Sequence, residues 1–162
     1  MIKTTGQFGE YAVAAELCRC GLVATTFTRN MPGFDILALN YSTKKSFRIQ
    51  VKTVKSGEWS LDAKRFLNFD EELFNNGIQK ITNRKNNDET DFFVFVKMDE
   101  KGDKFFILTE NEIEEIVYQN YKSFLDKIDG IRPKNPKTTH TAVQEKDIVK
   151  FKVKGRWDIF FE

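Results

Sequence analysis

Cysteine and histidine are scarce in this 162-residue chain, which has two cysteines, Cys18 and Cys20, and one histidine, His140. On a helix, a spacing of two residues directs the two cysteine side chains roughly 200° apart, so we expect no disulfide between them. Neither cysteine has partners at the ligand spacing of a zinc site. With one histidine and no serine constellation, few schemes of nucleophilic or histidine-based catalysis remain.

Long apolar runs are also lacking. No segment approaches the roughly 18 apolar residues that span a bilayer, and no charged stretch followed by an apolar one opens the chain. We therefore expect a soluble cytoplasmic protein with reduced cysteines and no membrane partner. The 26 basic and 24 acidic residues nearly cancel. The overall field therefore attracts anions weakly, and an anionic partner would need a local basic patch.

The hydrophobic content of 40% and the sixteen phenylalanines supply an ample core for one domain spanning residues 1–162. We find no internal repeat, low-complexity block or linker. Helix formers after Thr4 or Thr5 predict a first helix, GQFGEYAVAAELCRC, which ends at Gly21. β-branched residues predict a strand in LVATTFT that runs into an RNMPG turn, and a hairpin of GFDILALN and KSFRIQVKTV follows.

The rest of the chain predicts a loop over residues 55–69, a weak helix, two strands, further helices and two short terminal strands. The fold class is therefore mixed α+β within the α/β group: a helix, a three-stranded meander, a helix and a strand, with a central mixed sheet flanked by helices. The segments after the loop are, in order, DEELFNNGIQKI, DFFVFVKM, KFFILT, the helical region from TENEIEEIVYQNY through Ile128, a loop from Gly130 to Thr141, IVKFKV and RWDIFF.

Polar side chains interrupt the predicted hairpin where apolar residues are expected. A turn centred between Ser42 and Thr43 sets Asp35 opposite Gln50, and alternation places Lys52 on the same face as Gln50. At about 100° per residue, Glu10 lies on the inward face of the first helix. A charge on that face costs free energy unless it is paired, hydrogen-bonded or bound to metal. An acid, an amide and an ammonium on one patch of sheet are typical of a metal and phosphate site.

The run GQFGEYAVAAELCRCG, then GFD, then a hairpin returning as RIQVKT, resembles the PD-(D/E)XK nuclease superfamily of restriction-endonuclease-like folds. The nearest likenesses are archaeal Holliday-junction resolvases and intron-encoded homing endonucleases that use Gln in the third motif. The resemblance covers residues 4–54 by motif. Position by position it implies catalytic roles for four residues, which are Glu10, Asp35, Gln50 and Lys52.

This resemblance implies metal-dependent hydrolysis of DNA phosphodiesters. Mg²⁺ or Mn²⁺ takes oxygen ligands, which here would be Asp35, the Gln50 amide, the Val51 carbonyl and Glu10 directly or through water. Lys52 would contact the scissile phosphate and orient or deprotonate water. The third motif departs from the family, because Gln50 replaces a carboxylate and removes one negative charge.

Each of these residues also has a purely structural interpretation. Glu10 suits a helix N-terminus, Asp35 suits a turn, and Gln50 and Lys52 suit a solvent face. The alternative functions are a catalytically weak or inactive nucleic-acid-binding module and a protein-interaction module on the same fold. Duplex or branched DNA is the expected partner and RNA stays open. We expect a homodimer from fold precedent and from the need to cut two strands. The sequence does not choose between recombination, homing, restriction, defence and repair.

Further side chains are candidates for binding nucleic acid. They are cationic, aromatic or polar residues near the motifs, namely Gln7, Lys55, Trp59, Lys80, Arg84 and Lys85. Trp59 has two interpretations, stacking on a base or packing in the core.

Overall fold

The computed structural model describes residues 4–28 and 31–162. The chain forms two compact units. The first unit comprises the described residues of 1–59, 88–110 and 144–162, and the second comprises 60–87 and 111–143. The prediction that the chain forms one domain stays a prediction. The Arg29 and Asn30 positions of the predicted RNMPG turn lie outside the described residues.

A five-stranded mixed sheet forms the centre of the first unit. Its spatial order is β1-β2-β3-β7-β8, in which β3 and β7 are parallel and the other neighbours are antiparallel. This arrangement confirms the predicted mixed α+β fold. The strands are β1 (Val23–Thr26), β2 (Ile36–Asn40), β3 (Lys45–Val54), β7 (Phe92–Lys97) and β8 (Lys104–Thr109).

The β2–β3 hairpin has the predicted register. Ile36 pairs with Ile49 and Asn40 pairs with Lys45, so the turn is centred between Ser42 and Thr43. Its tip is held by the Asn40 side chain, whose oxygen accepts the backbone N–H groups of Ser42 at 3.1 Å and Thr43 at 3.2 Å. A register slip of one residue would turn every side chain to the opposite face, so this tip fixes which residues meet at the other end.

Helix α1 (Thr5–Arg19) packs against the sheet through Val13 and Leu17, which are fully buried in one cluster with Ile49 and Val51. Gly21 has a φ of 99°, a left-handed conformation that glycine adopts without steric cost, and this confirms the predicted end of the helix. The predicted side-chain cap is wrong at Thr4, which precedes the helix but makes no side-chain capping bond.

The two predicted terminal strands are wrong. The segment instead forms helix α4 (Glu145–Ile148) and 3₁₀ turns at Val149–Phe151 and Trp157–Phe161. Asp147 accepts the backbone N–H of Gln144 at 2.8 Å and so stabilises the start of α4. The ring of Phe160, in the second of these turns, packs edge-to-face against Phe47 and Phe92.

Short elements build the second unit. β4 (Trp59–Asp62) pairs with β9 (His140–Val143), and β5 (Leu67–Phe69) pairs with β6 (Ile81–Arg84). The predicted loop over 55–69 is therefore wrong, because these strands of three or four residues depend on partners elsewhere in the sequence. The unit also contains a 3₁₀ turn (Ala63–Arg65), α2 (Glu71–Asn75) and, from its second residue on, α3 (Glu110–Lys127). Across the described residues, no helix is long and apolar enough to cross a membrane.

Candidate active site

Asp35 lies immediately before β2, beside Ile49–Val51 in the middle of β3. Its Oδ2 atom accepts the backbone N–H of Val51 at 2.8 Å and the side-chain amide of Gln50 at 2.5 Å. Its own backbone N–H donates to the carbonyl of Ile49 at 2.8 Å. The predicted apposition of Asp35 and Gln50 is therefore confirmed, and one carboxylate oxygen, Oδ1, carries neither of these bonds.

The groups around Asp35 act in opposite directions on the pKa of its carboxyl. Burial raises the pKa of its carboxyl, and this effect outweighs the lowering by the Val51 N–H, by the Lys52 ammonium and by the Gln50 amide. Lys52 thus acts electrostatically on Asp35, as expected for two groups of one site. Above its pKa, Asp35 is a half-buried carboxylate whose charge is only partly compensated by the protein.

Glu10 also faces this carboxylate. Burial raises the pKa of Glu10, and the nearby charge of Asp35 raises it further. Two carboxylates that repel each other across a partly buried space are better tolerated when a cation lies between them. A hydrogen bond joins Asp35 to Gln50, and Glu10 and Lys52 are close enough to Asp35 to interact with it electrostatically.

Gly9 allows Glu10 to reach the site, and sequence reasoning missed it. A Cβ atom at Gly9 would lie 1.7 Å from Oγ1 and 2.8 Å from Cβ of Thr53 in β3. The helix therefore approaches the strand as closely as a glycine permits. A glycine inside a helix lowers helix stability by about 1 kcal/mol relative to alanine. A glycine at position 9 was therefore a sign in the sequence that the helix packs closely against a neighbour there.

We expect Gly9→Ala to lower the free energy of unfolding by about 1–3 kcal/mol, as overpacking of a tight contact does. Urea unfolding measures the loss. The control is Thr53→Gly, which removes the side chain that the new methyl group meets. If Gly9→Ala costs as much in the Thr53→Gly background as in the wild type, the close approach is not the cause.

An ion pair between Arg48 and Asp91 fixes the start of the β3–β7 pairing. Asp91 accepts the backbone N–H of Arg48 at 2.7 Å and two guanidinium bonds at 3.2 and 2.9 Å. Burial opposes ionisation of Asp91, but the bonds from Arg48 outweigh it and lower the pKa of the carboxyl. This pair supports the strand that carries Gln50 and Lys52, and no local pattern indicated it.

The donor set of the site consists of oxygen atoms. Asp35 Oδ1, the Gln50 carbonyl oxygen and the Glu10 carboxylate are hard ligands of the kind that Mg²⁺ and Mn²⁺ prefer. Within residues 4–28 and 31–162 no group of three or more His, Cys, Asp or Glu side chains is arranged to hold a metal. The site has two carboxylates and an amide, so Gln50 leaves it one carboxylate short of such a group.

Of the additional binding candidates in the first unit, one needs correction. The side chain of Trp59 is 1% exposed, its indole N–H donates to the carbonyl of Val96 at 3.0 Å, and its ring contacts Phe95 and Phe106. It packs in the core and cannot stack on a base. Gln7 and Lys55 are exposed, and the Gln7 amide donates to the hydroxyl of Tyr11 at 3.1 Å.

The other three candidates lie in the second unit. Lys80 and Lys85 are exposed, whereas Arg84 forms a 2.6 Å ion pair with Glu115 that satisfies part of its guanidinium. Arg84 is thus less available to a phosphate than either lysine.

No family model and no curated protein matches the sequence. Among solved structures, a bacterial homing endonuclease is similar with a TM-score of 0.53 and 12% identity, over 96% of this chain and 90% of that chain. Hjc, a Holliday junction resolvase from Archaeoglobus fulgidus, is similar with a TM-score of 0.45 and 13% identity, over 90% and 88% of the two chains.

The likeness to the homing endonuclease shows the fold of this chain. The chain has the restriction-endonuclease-like fold, as the resemblance of its motifs predicted. At 12% identity the likeness extends no further than the fold.

Proposed function

We propose that the protein is a metal-dependent endonuclease that hydrolyses DNA phosphodiester bonds. The observation that carries this proposal is the convergence of Asp35, Gln50, Lys52 and Glu10 at one end of the β2–β3 hairpin. A cation can activate water and neutralise phosphate oxygens, and a lysine beside it can hold the phosphate. The similarity of the fold to that of a homing endonuclease supports the same class of reaction.

Each side chain has a distinct role in the proposed site. Asp35 would provide the principal ligand atom, Oδ1, because its other oxygen is held by Val51 and Gln50. Gln50 would orient Asp35 through its amide N–H and offer its carbonyl oxygen, and the Val51 carbonyl and Glu10 would complete the ligands. A bound Mg²⁺ or Mn²⁺ supplies Lewis acidity toward the phosphate and lowers the pKa of bound water.

Lys52 would act on the substrate. Its ammonium is a compact charge with three donors, suited to hold a non-bridging phosphate oxygen and to orient the attacking water. Hydrolysis adds this water to phosphorus, breaks one P–O ester bond and leaves a phosphate monoester and a hydroxyl group.

The proposed substrate is duplex or branched DNA, with RNA as a further substrate to be tested. Because residues 4–28 and 31–162 contain one such site, we also propose that two copies act together when both strands are cut. Gel filtration with light scattering, with and without a duplex, measures whether a homodimer forms.

A second candidate function is a nucleic-acid-binding module with weak or no catalysis. The observation that favours it is Gln50, whose amide leaves the site with two carboxylates instead of three. We expect the wild-type chain to nick supercoiled plasmid with Mg²⁺ or Mn²⁺, and Gln50→Glu to alter the metal concentration needed. If the wild type binds DNA without cutting it and the Gln50→Glu variant does cut, DNA binding is the native function. If neither protein cuts DNA, the proposed nuclease function is contradicted.

The pH dependence of metal binding tests the ligand set separately. Because the pKa values of Glu10 and Asp35 are raised, both groups lower the stability of the metal-free protein as pH rises through their folded pKa values. A cation binds the ionised forms. We therefore expect the rise in melting temperature caused by Mn²⁺ to grow above the ordinary carboxyl range and then level off. Differential scanning calorimetry measures it, and a pH-independent rise would contradict the assignment.

A further inference from the structure

Strands β5 and β6 of the second unit form a separate antiparallel ribbon. Asn68 lies opposite Asn83, and the register shifts between Asn68 and Phe69. Leu67 is buried at 1% exposure and Asn68 and Phe69 are half-buried, whereas Thr82 and Asn83 are exposed. The ribbon therefore has one apolar face, which packs within its own unit, and one polar face. Among the described residues it pairs with no third strand.

The polar face contributes little to stability. Asparagine is disfavoured in strands, and here two asparagines lie opposite each other. The amide of Asn68 approaches Oδ1 of Asn83 at 3.4 Å, longer than an ordinary N–H···O bond. The Thr82 hydroxyl donates to the same oxygen at 3.0 Å. Asn83 Nδ2 also donates to the Arg84 carbonyl at 2.9 Å, which leaves the second N–H of this amide for an external acceptor.

Exposed lysines flank this face, and the acidic residues Asp70, Glu71 and Glu72 follow the end of β5. Exposed Lys64, Lys80 and Lys85 border the two strands, which themselves contain no carboxylate. Lys64 and Lys85 also line a cavity of about 320 Å³ together with Asn68 and one acidic residue, Glu71. In duplex DNA, base edges lie between two phosphate backbones. On this ribbon, amides that can hydrogen-bond to base edges lie between lysines that can contact phosphates.

We propose that this ribbon enters the major groove of duplex DNA and that Asn68 and Asn83 recognise adenine. The major groove admits a two-stranded ribbon, and an asparagine amide donates to N7 of adenine while it accepts from the N6 amino group. The lysines hold the flanking phosphates and set the register of the ribbon on the duplex. The inference rests on the proposed function for its ligand, duplex DNA, and goes beyond it in assigning sequence preference to the second unit.

Selection of bound duplexes from a randomised pool tests the proposal. The wild-type chain is used with EDTA, so that the duplexes stay intact. We expect an adenine preference that falls about 5- to 150-fold at one position in Asn83→Ala and at another in Asn68→Ala. Lys85→Ala is expected to weaken all duplexes about equally and to reduce the salt dependence by about one counterion. The matched control, Asn111→Ala, removes an exposed amide at the start of α3 and leaves the preference unchanged.

Asn68→Thr and Asn83→Thr guard against misfolding, because threonine suits strands better and makes no bidentate contact with adenine. A preference that persists in both the alanine and the threonine double variants overturns the proposal. Duplex binding without preference, or no duplex binding, also overturns it. In each of these outcomes, cleavage assays of Asp35→Asn and Lys52→Met still test the proposed nuclease function. Absent cleavage with the base preference intact overturns the proposed nuclease function alone.

Discussion

Replacement of Asp35 by asparagine is expected to abolish metal-dependent cleavage while the protein stays folded. The asparagine oxygen can still accept the N–H groups of Val51 and Gln50, so the local geometry is preserved. The negative charge is lost, and the atom proposed as the metal ligand becomes an amide nitrogen. Since a bound cation contributes several kcal/mol to the stabilisation of the transition state, the rate should fall by about 10²–10⁴-fold.

Stability should change in the opposite direction. Burial raises the pKa of Asp35, so ionisation of this carboxyl lowers the stability of the metal-free wild type as pH rises through that pKa. The amide that replaces the carboxyl in the variant stays neutral at every pH. We expect Asp35→Asn without metal to be at least as stable as the wild type at neutral pH.

Plasmid nicking and urea unfolding measure the two effects together. Asp158→Asn, at an exposed position, is the matched control and should keep full activity. Full activity in folded Asp35→Asn would remove Asp35 from the mechanism.

Lys52→Met is expected to lower the cleavage rate by about 10²–10⁴-fold, the usual contribution of a positioned acid–base group. Methionine keeps much of the apolar stem of this half-buried side chain and removes the ammonium. Unlike Asp35→Asn, this variant should still bind the cation. Because the ammonium lowers the pKa of Asp35, its removal should shift Mn²⁺ binding to higher pH.

Lys52 could act on the substrate or support the cation site. Cleavage assays and the Mn²⁺-induced change in melting temperature, measured on the same variant, distinguish the two roles. Lys101→Met, in the exposed turn between β7 and β8, is the control for loss of one lysine charge. If Lys52→Met loses Mn²⁺ binding and cleavage together, its role is to hold the cation site and not to act on the substrate.

Much of the site could be predicted because the hairpin is local. The turn and the alternation of side chains fixed Asp35 opposite Gln50, and the register of Ile36 with Ile49 confirms it. The same reasoning failed for residues 55–69, where β4 pairs with β9 and β5 pairs with β6. A strand of three or four residues carries too little periodicity to indicate a distant partner.

The positions of some aromatic residues could not be predicted from the sequence either. Trp59 had two interpretations, and only contacts with Phe95 and Phe106 made it a core residue. The terminal segment around Trp157 and Phe160 has a strand-like composition, yet it forms a 3₁₀ turn because packing of the rings onto the sheet decides its conformation.

The sequence by itself determined the central hairpin, its register and the pairing of an acid with an amide beside a lysine, because these depend on the turn and on a period of two along neighbouring strands. Helical periodicity also turned Glu10 inward, but tertiary structure alone decided how closely it approaches the other three. That placement depends on a glycine against Thr53, a contact between a helix and a strand whose separation along the chain hides it from any local pattern.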